Sequence, residues 1–306
     1  MRRGFALGCA LALFAGLAAA CGDDDSSGSA NGVRVVATTT VTADFVKQIG
    51  GDRVSLYSAQ RPNVDPHDFE PSPKDINAFR DAAVIIHNGV GLEAWFDDAI
   101  RSSGAKAQLV DASEGITIRA GHGDGDEHES GDPHIWNDPR NAMKMVATIA
   151  HALSAADPAG AATYEANLAS YTAELQKLDA EIAGQLSALS NKKLVTNHDA
   201  FGYYVDRYGL ELVGTIIPSF DTSAELSATD IADLVAAIKT EGVKAVFSES
   251  SLPPKTAEAI AKEAGVKVVE GEDALYGDGL GPKGSGAATY LEMMRHNTQT
   301  IVTNLR

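Results

Sequence analysis

Four side chains that bind transition metals well lie at similar places among the predicted elements of the chain. They are His67, His134, His198 and Asp278. Each follows a predicted strand, either at its carboxyl end or in the loop beyond it, and ligands of open α/β sheets bind outside the carboxyl ends of the strands. Three imidazoles and one carboxylate gathered at that edge would form a tetrahedral or five-coordinate site for Zn²⁺ or a neighbouring ion.

Two of these histidines occur in the same tripeptide, Asp-Pro-His. His67 lies in RPNVDPHDFEPSPKDI, residues 61–76, and His134 lies in DPHIWNDP. Four prolines in the first segment fix φ and disfavour helix in the residues before them. A loop that is already stiff loses less entropy when it binds a ligand, so the prolines favour a metal-binding role. Both segments are also compatible with tight turns whose histidines are incidental.

Three further histidines have settings that do not indicate metal binding. His87 lies in VIIHNG, a predicted buried strand, and His151 and His296 lie on faces of predicted helices. We interpret all three as hydrogen-bonded or surface residues.

Two acidic residues lie beside the predicted site. Glu249 ends the predicted strand VKAVFSES in the same crevice and could be a fifth ligand. We favour a role in which it orients a ligand histidine through the second ring nitrogen. Asp199, directly after His198, could do the same.

Strand and helix patterns alternate in both halves of the chain, as in parallel sheets covered by helices. Between the halves, the sequence from Pro158 onwards predicts one uninterrupted helix of about 30 residues, roughly 45 Å long. The predicted fold is therefore α/β, with two lobes, each a mostly parallel sheet flanked by helices, joined by one long spine helix. The predicted boundaries are 33–155 for the first lobe, 156–190 for the linking helix and 191–306 for the second lobe.

The N-terminal segment predicts export. Residues 1–20 combine two arginines with an apolar run of small residues, which is typical of a secretory signal peptide. The sequence LAAAC resembles the lipobox of bacterial lipoproteins, in which Cys21 would become the lipid-bearing N-terminus. Residues 21–32 are polar, acidic and rich in glycine and serine, as expected of a flexible tether. An ordinary secreted protein cleaved near the alanine run is the alternative.

The net charge limits the classes of partner, and the cysteine content limits the atoms that could bind a metal. The net charge of −17 argues against nucleic acid and gives a field that attracts cations. The two cysteines are Cys9 and Cys21, so no thiol remains in the body of the exported protein. A metal site there must use nitrogen and oxygen ligands.

Five segments carry a resemblance that covers nearly all of residues 33–306. In order they are NVDPHDFEPSPKDI, DPHIWNDPRNA, VTNHDAFGYYVDRYGLELVG, VFSESSLPPKTAEAIAKEAGVKV and LYGDGLG. They resemble the zinc/manganese solute-binding lipoproteins of ABC transporters, the cluster A-I family that includes pneumococcal-type surface adhesins. The resemblance implies two α/β lobes joined by a long helix with the metal between them. It also implies that His67, His134 and His198 take the three histidine positions and Asp278 the carboxylate position.

The family includes both zinc and manganese carriers, so the resemblance alone does not identify the metal. The types of ligand atom in the site must be used instead. Members with glutamate at the third position tend to carry manganese, whereas this chain has His198, and three nitrogens with one oxygen favour zinc. Zinc carriers of the family often have a His- and acid-rich loop before the second histidine. Here GHGDGDEHESGDPH supplies His122 and His128, which could capture zinc weakly; a disordered acidic loop is the alternative.

These observations predict a non-enzymatic, extracytoplasmic protein that carries Zn²⁺ to an ABC permease. It would be a monomer, anchored through Cys21 to the outer face of the membrane or periplasmic. Alternatives are a manganese or iron carrier of the same system, and an adhesin. A zinc hydrolase with Glu249 as general base lacks the usual pair of histidines at i and i+4 with a glutamate between them.

Overall fold

The computed structural model describes Met1 and residues 32–120, 131–224 and 226–306. The predicted signal peptide apart from Met1, nearly all of the tether, Cys21, His122 and His128 lie outside the described residues. The predictions made for them therefore stay predictions.

The first half contains a four-stranded parallel sheet with the strand order β2-β1-β3-β4. Runs of β-branched and apolar residues form these strands, and Val84, Ile85 and Ile86 are fully buried. The strands are β1 (Val33–Ala37), β2 (Val54–Ser58), β3 (Val84–His87) and β4 (Gln108–Asp111). The helices beside them are α1 (Thr40–Gly50), α2 (Pro73–Asp81) and α3 (Phe96–Ser103). Ser72 caps α2, because its side chain accepts a hydrogen bond from the backbone N–H of Asp75.

Two long helices follow the first sheet. They are α4 (Pro139–Ala156) and α5 (Ala161–Ser187). The predicted spine helix is confirmed, although it begins with a 3₁₀ turn at Pro158–Gly160 rather than with α-helix. Its 27 residues span about 40 Å. Among the described residues, no helix has both the length and the apolar character that crossing a membrane requires.

The second half resumes the alternation of strands and helices. Its strands are β5 (Lys193–His198), β6 (Glu211–Ile217), β7 (Ala245–Phe247) and β8 (Lys267–Val269). Its helices are α6 (Gly202–Tyr208), α7 (Ala228–Glu241), α8 (Lys255–Ala264) and α9 (Tyr290–Leu305). The strands form two parallel hydrogen-bonded pairs, β5 with β6 and β7 with β8, and β5 lies beside β7. Gly209, Gly242 and Gly265 end α6, α7 and α8 in the left-handed conformation that glycine adopts readily.

The last helix returns to the first half of the chain. Helix α9 packs on α1 and α5, and the Phe45 ring lies 4.9 Å from the Tyr290 ring. Asp44 accepts a hydrogen bond from the backbone N–H of Tyr290 at 2.9 Å. One continuous buried core therefore extends over both halves and the long helix. Separating the halves widely would expose part of that core, which is costly.

Candidate metal centre

The structure brings the four predicted metal-binding side chains together. One donor atom from each of His67, His134, His198 and Asp278 lies within 4.8 Å of the others. Asp278 Oδ1 is 3.0 Å from His198 Nε2, 3.4 Å from His134 Nε2 and 3.9 Å from His67 Nε2. Three of the four side chains are fully buried, and that of His67 is 6% exposed. Two halves of the chain thus supply one compact set of three nitrogens and one oxygen.

His67 lies in the proline-rich loop after β2, as predicted. Asp65 Oδ1 accepts the backbone N–H of His67 at 2.9 Å, which closes a tight turn across Pro66. Asp65 Oδ2 accepts a hydrogen bond of 2.6 Å from Thr222 Oγ1, on the other half of the chain. The loop that carries His67 is therefore tied to both halves.

His134 lies in the long connection between β4 and α4, directly before a 3₁₀ turn at Ile135–Asn137. The turn across Pro133 holds it: Asp132 Oδ1 accepts the backbone N–H of His134 at 3.0 Å and lies 2.9 Å from its Nδ1. Arg119 Nη1 lies 3.3 Å from Asp132 Oδ2. The Asp132 carboxylate therefore orients the His134 imidazole, and the Arg119 guanidinium in turn holds that carboxylate.

His198 is the last residue of β5 and contacts Glu249. The Glu249 carboxylate lies 3.0 Å from His198 Nδ1, and it also accepts the backbone N–H of His198 at 3.0 Å. Nδ1 is the ring nitrogen turned away from Asp278, so Glu249 stands behind the imidazole and outside the set of four donors. Asp199 lies 3.9 Å from Arg119 Nη1.

Asp278 lies in the loop beyond β8. Its Oδ2 accepts a hydrogen bond of 3.0 Å from Ser251 Oγ. Within the described residues, His67 Nε2 is buried without a hydrogen-bond partner, and Asp278 Oδ1 faces only the imidazoles of the cluster. Buried polar atoms of this kind destabilise a protein unless something satisfies them. A cation among the four donors would satisfy both atoms, so the residues present fit a bound metal ion.

Burial and charge shift the ionisation of the whole cluster. Burial lowers the pKa of His67 to about 4, with Asp278 opposing the shift. Burial also acts to lower the pKa of His134, but the Asp132 and Asp278 carboxylates outweigh it and raise that pKa to about 9. The same balance raises the pKa of His198, and the imidazoles hold the pKa of Asp278 well below its usual range despite burial. In the metal-free protein, protons on two imidazoles therefore compensate the buried carboxylate.

The three other histidines lie elsewhere. His87 stacks on Phe96 with ring centroids 4.2 Å apart, and His296 Nε2 lies 2.9 Å from the carbonyl oxygen of Ala274. His151 is exposed on α4.

Sequence reasoning missed several residues around the donors, among them Asp132, Arg119 and Ser251. The repeated Asp-Pro-His tripeptide was a usable signal for Asp132, because an aspartate two residues before another residue often accepts its N–H. No local pattern pointed to Arg119 or Ser251, since both reach the site through tertiary contacts.

Comparison with known proteins identifies the family. Residues 35–304 match the family described as "Zinc-uptake complex component A periplasmic". The chain is 32% identical over 293 residues to the manganese-binding lipoprotein MntA of Halalkalibacterium halodurans, with 94% of each chain covered. It is 32% identical over 314 residues to the iron ABC transporter substrate-binding lipoprotein MtsA of Streptococcus pyogenes serotype M1, covering 99% of this chain and 98% of MtsA.

A solved structure shares the fold. The periplasmic zinc-binding protein TroA of Treponema pallidum matches with a TM-score of 0.80 and 31% identity, covering 89% of this chain and 98% of TroA. That match extends over both lobes and the long helix between them. The chain therefore belongs to the zinc-uptake complex component A family, whose members are substrate-binding proteins of metal ABC transporters and not enzymes.

Proposed function

We propose that this protein captures Zn²⁺ outside the cytoplasmic membrane and delivers it to an ABC permease. His67, His134, His198 and Asp278 would hold the ion between the lobes. The convergence of these four donors, from distant parts of the chain, within 4.8 Å carries the proposal.

The chemistry of the donor set supports zinc. Zn²⁺ binds imidazole nitrogen and carboxylate oxygen readily and is usually tetrahedral when all ligands come from the protein. Four protein donors leave no open position for an activated water, which suits carriage of the ion rather than hydrolysis. Glu249 and Asp132 would orient the ligand histidines through Nδ1, as acidic residues commonly do around zinc.

Manganese or iron is the second candidate cargo. The MntA and MtsA relatives are named for manganese and for iron. Intrinsic affinity cannot decide between the metals, because zinc binds most nitrogen and oxygen sites more tightly than manganese does.

Elemental analysis of the protein purified from its own host, combined with competition between the metals, tests the cargo. We expect zinc, rather than manganese or iron, to copurify. Displacement of Mn²⁺ and Fe²⁺ by zinc in equilibrium dialysis is expected at most nitrogen and oxygen sites and does not by itself distinguish the cargoes. Copurified manganese or iron, retained when zinc is available in the growth medium, would contradict the zinc proposal.

The proposed lobes, 33–155 and 191–306, and the linking helix, 156–190, give a route for release. Since all four donors are buried or nearly so, the ion can leave only if the lobes move apart. The long helix and the core that α9 shares with α1 support a small opening rather than a wide hinge. Small-angle scattering with and without zinc should therefore show a smaller change of radius of gyration than a flexible two-domain hinge would give.

Lipid attachment would hold the protein at the membrane. We expect the anchored protein to be a monomer. The signal-like residues 1–20 followed by Cys21, and relatives named as lipoproteins, support an anchor at Cys21. In the host, Cys21→Ala should release the protein from the membrane fraction. Retention of the variant at wild-type levels, in a form that has lost residues 1–20, would contradict anchoring through this residue.

A further inference from the structure

We propose that Ser251 sets the metal preference of the site by holding Asp278 to a single coordinating oxygen. The inference rests on the proposed role of Asp278 as a ligand and adds a residue that determines specificity. Ser251 Oγ donates a hydrogen bond of 3.0 Å to Asp278 Oδ2. The other oxygen, Oδ1, faces the Nε2 atoms of all three histidines.

The hydroxyl that makes this contact is held in a fixed place. Ser251 lies in the connection between β7 and α8, and backbone hydrogen bonds tie that connection to the chain before Asp278. Ser250 N–H donates to the carbonyl of Leu275 at 2.8 Å, and Leu275 N–H donates to the carbonyl of Ser248 at 2.9 Å. The donor and the carboxylate therefore sit on two segments that cannot easily shift relative to each other.

The same connection also orients a second ligand. Glu249, two residues before Ser251, contacts His198 Nδ1 at 3.0 Å. One short segment thus supports both His198 and Asp278 from outside the donor set. The two contacts differ in what they prevent. Glu249 contacts a histidine Nδ1 that is turned outward and could not bind the metal. Ser251 contacts the second carboxylate oxygen of Asp278, which could itself bind the metal.

The number of oxygens that reach the ion distinguishes the metals. With Oδ2 occupied by Ser251, the site offers three nitrogens and one oxygen, which suits tetrahedral Zn²⁺. Mn²⁺ favours oxygen ligands and six-coordinate geometry, so it would gain from a carboxylate that binds through both oxygens. Removal of the hydroxyl frees Oδ2 to turn toward the ion and leaves room for water beside it.

Ser251→Ala should therefore shift selectivity more than it weakens binding. We expect the ratio of Zn²⁺ to Mn²⁺ affinity to fall by about tenfold, within the range that residues surrounding metal ligands usually contribute. Ser251→Thr keeps the hydroxyl and should restore the wild-type ratio. Ser250→Ala is the matched control, because the backbone N–H of Ser250, rather than its side chain, makes the contact with Leu275.

Competition dialysis with Zn²⁺ and Mn²⁺ measures the ratio, and the visible spectrum of the Co²⁺-loaded protein reports coordination number. Weaker, higher-coordinate Co²⁺ bands in Ser251→Ala, absent in Ser251→Thr, would support the inference. Equal losses of affinity for both metals with an unchanged Co²⁺ spectrum would overturn it and leave Ser251 a merely structural residue. If the wild-type protein bound neither metal, the proposed function itself would fail, a result distinct from either outcome.

Discussion

The two Asp-Pro-His turns share a sequence and a hydrogen bond from the histidine N–H to the aspartate side chain, yet they hold their histidine rings differently. In both turns the aspartate Oδ1 accepts the histidine N–H, at 2.9 Å for His67 and 3.0 Å for His134. Asp132 also contacts the imidazole of His134, whereas the second oxygen of Asp65 bonds to Thr222 of the other half. The local sequence thus specifies the turn, and the tertiary surroundings decide how the ring is held.

This difference predicts different roles for the two histidines. His134 is fully buried and fixed by Asp132 within its own turn. His67 is slightly exposed, and its loop depends on a hydrogen bond that exists only while the halves are together. We therefore expect His134 to be a preformed part of the site and His67 to complete it on closure.

The largest expected effect comes from removal of a ligand. His134→Ala should lower zinc affinity about a thousandfold, because four ligands share a binding free energy on the order of 10–16 kcal/mol in comparable sites. His67→Ala should lower it less, about a hundredfold, since a water molecule can replace a ligand at the rim. Competition with a chromophoric chelator measures both, with His151→Ala as the exposed control. Wild-type affinity in either variant would remove that residue from the site.

The pH dependence of zinc binding should follow His134 and His198 rather than His67. The pKa of His134 is raised to about 9, so its imidazole is protonated at pH 7 in the metal-free protein, whereas the pKa of His67 is lowered to about 4 and that imidazole is neutral. Zinc must displace the protons on His134 and His198. Lowering the pH therefore weakens binding, by about tenfold per pH unit for each proton released.

Calorimetry in two buffers of different ionisation enthalpy counts the released protons. We expect at least one at pH 7. A zinc affinity that is constant between pH 6 and pH 8 would contradict protonated imidazoles in the metal-free site.

Asp132→Asn and Asp65→Asn test the two turns directly. Both variants keep an oxygen that can accept the histidine N–H, but only the first removes a carboxylate from a ligand ring. Asp132→Asn should lower zinc affinity about 10- to 100-fold, the usual effect of changing a residue that contacts a metal ligand. Asp65→Asn should lower zinc affinity less, because Asp65 contacts the backbone N–H of His67 rather than its ring. Asp132→Asn should also lower the pKa of His134 and so reduce the number of protons released. Equal losses in the two variants would show that the turns are equivalent.

The smallest expected effect concerns closure. Thr222→Val removes the hydroxyl that joins the second half to Asp65. This loss should destabilise the closed state by ~1 kcal/mol and make zinc release about fivefold faster. Thr222→Ser keeps the hydroxyl and should release zinc at the wild-type rate. Stopped-flow transfer of zinc to a chelator measures both. An unchanged release rate in Thr222→Val would mean that this contact does not hold the closed state.

Local patterns predicted much of the fold. Apolar runs such as Val84–His87 and glycines such as Gly209 and Gly242 mark strands and helix ends through interactions within a few residues. The return of α9 to α1 was not predictable in the same way, because contacts such as that between Asp44 and Tyr290 join residues far apart in sequence.

The site shows the same division between local and tertiary information. The four donors could be selected because each occurs in a loop or at a strand end with a distinctive sequence. Their spacing along the chain could not reveal Arg119, Ser251 or Thr222, which reach the cluster only after the halves have packed together.

A crystal structure of the zinc-loaded protein, with anomalous data collected on both sides of the zinc absorption edge, tests the central claim most directly. We predict one anomalous peak bound by Nε2 of His67, His134 and His198 and by Oδ1 of Asp278, with Oδ2 still bonded to Ser251. A peak at another place, or a coordination sphere that lacks any of the three histidines or Asp278, would contradict the account.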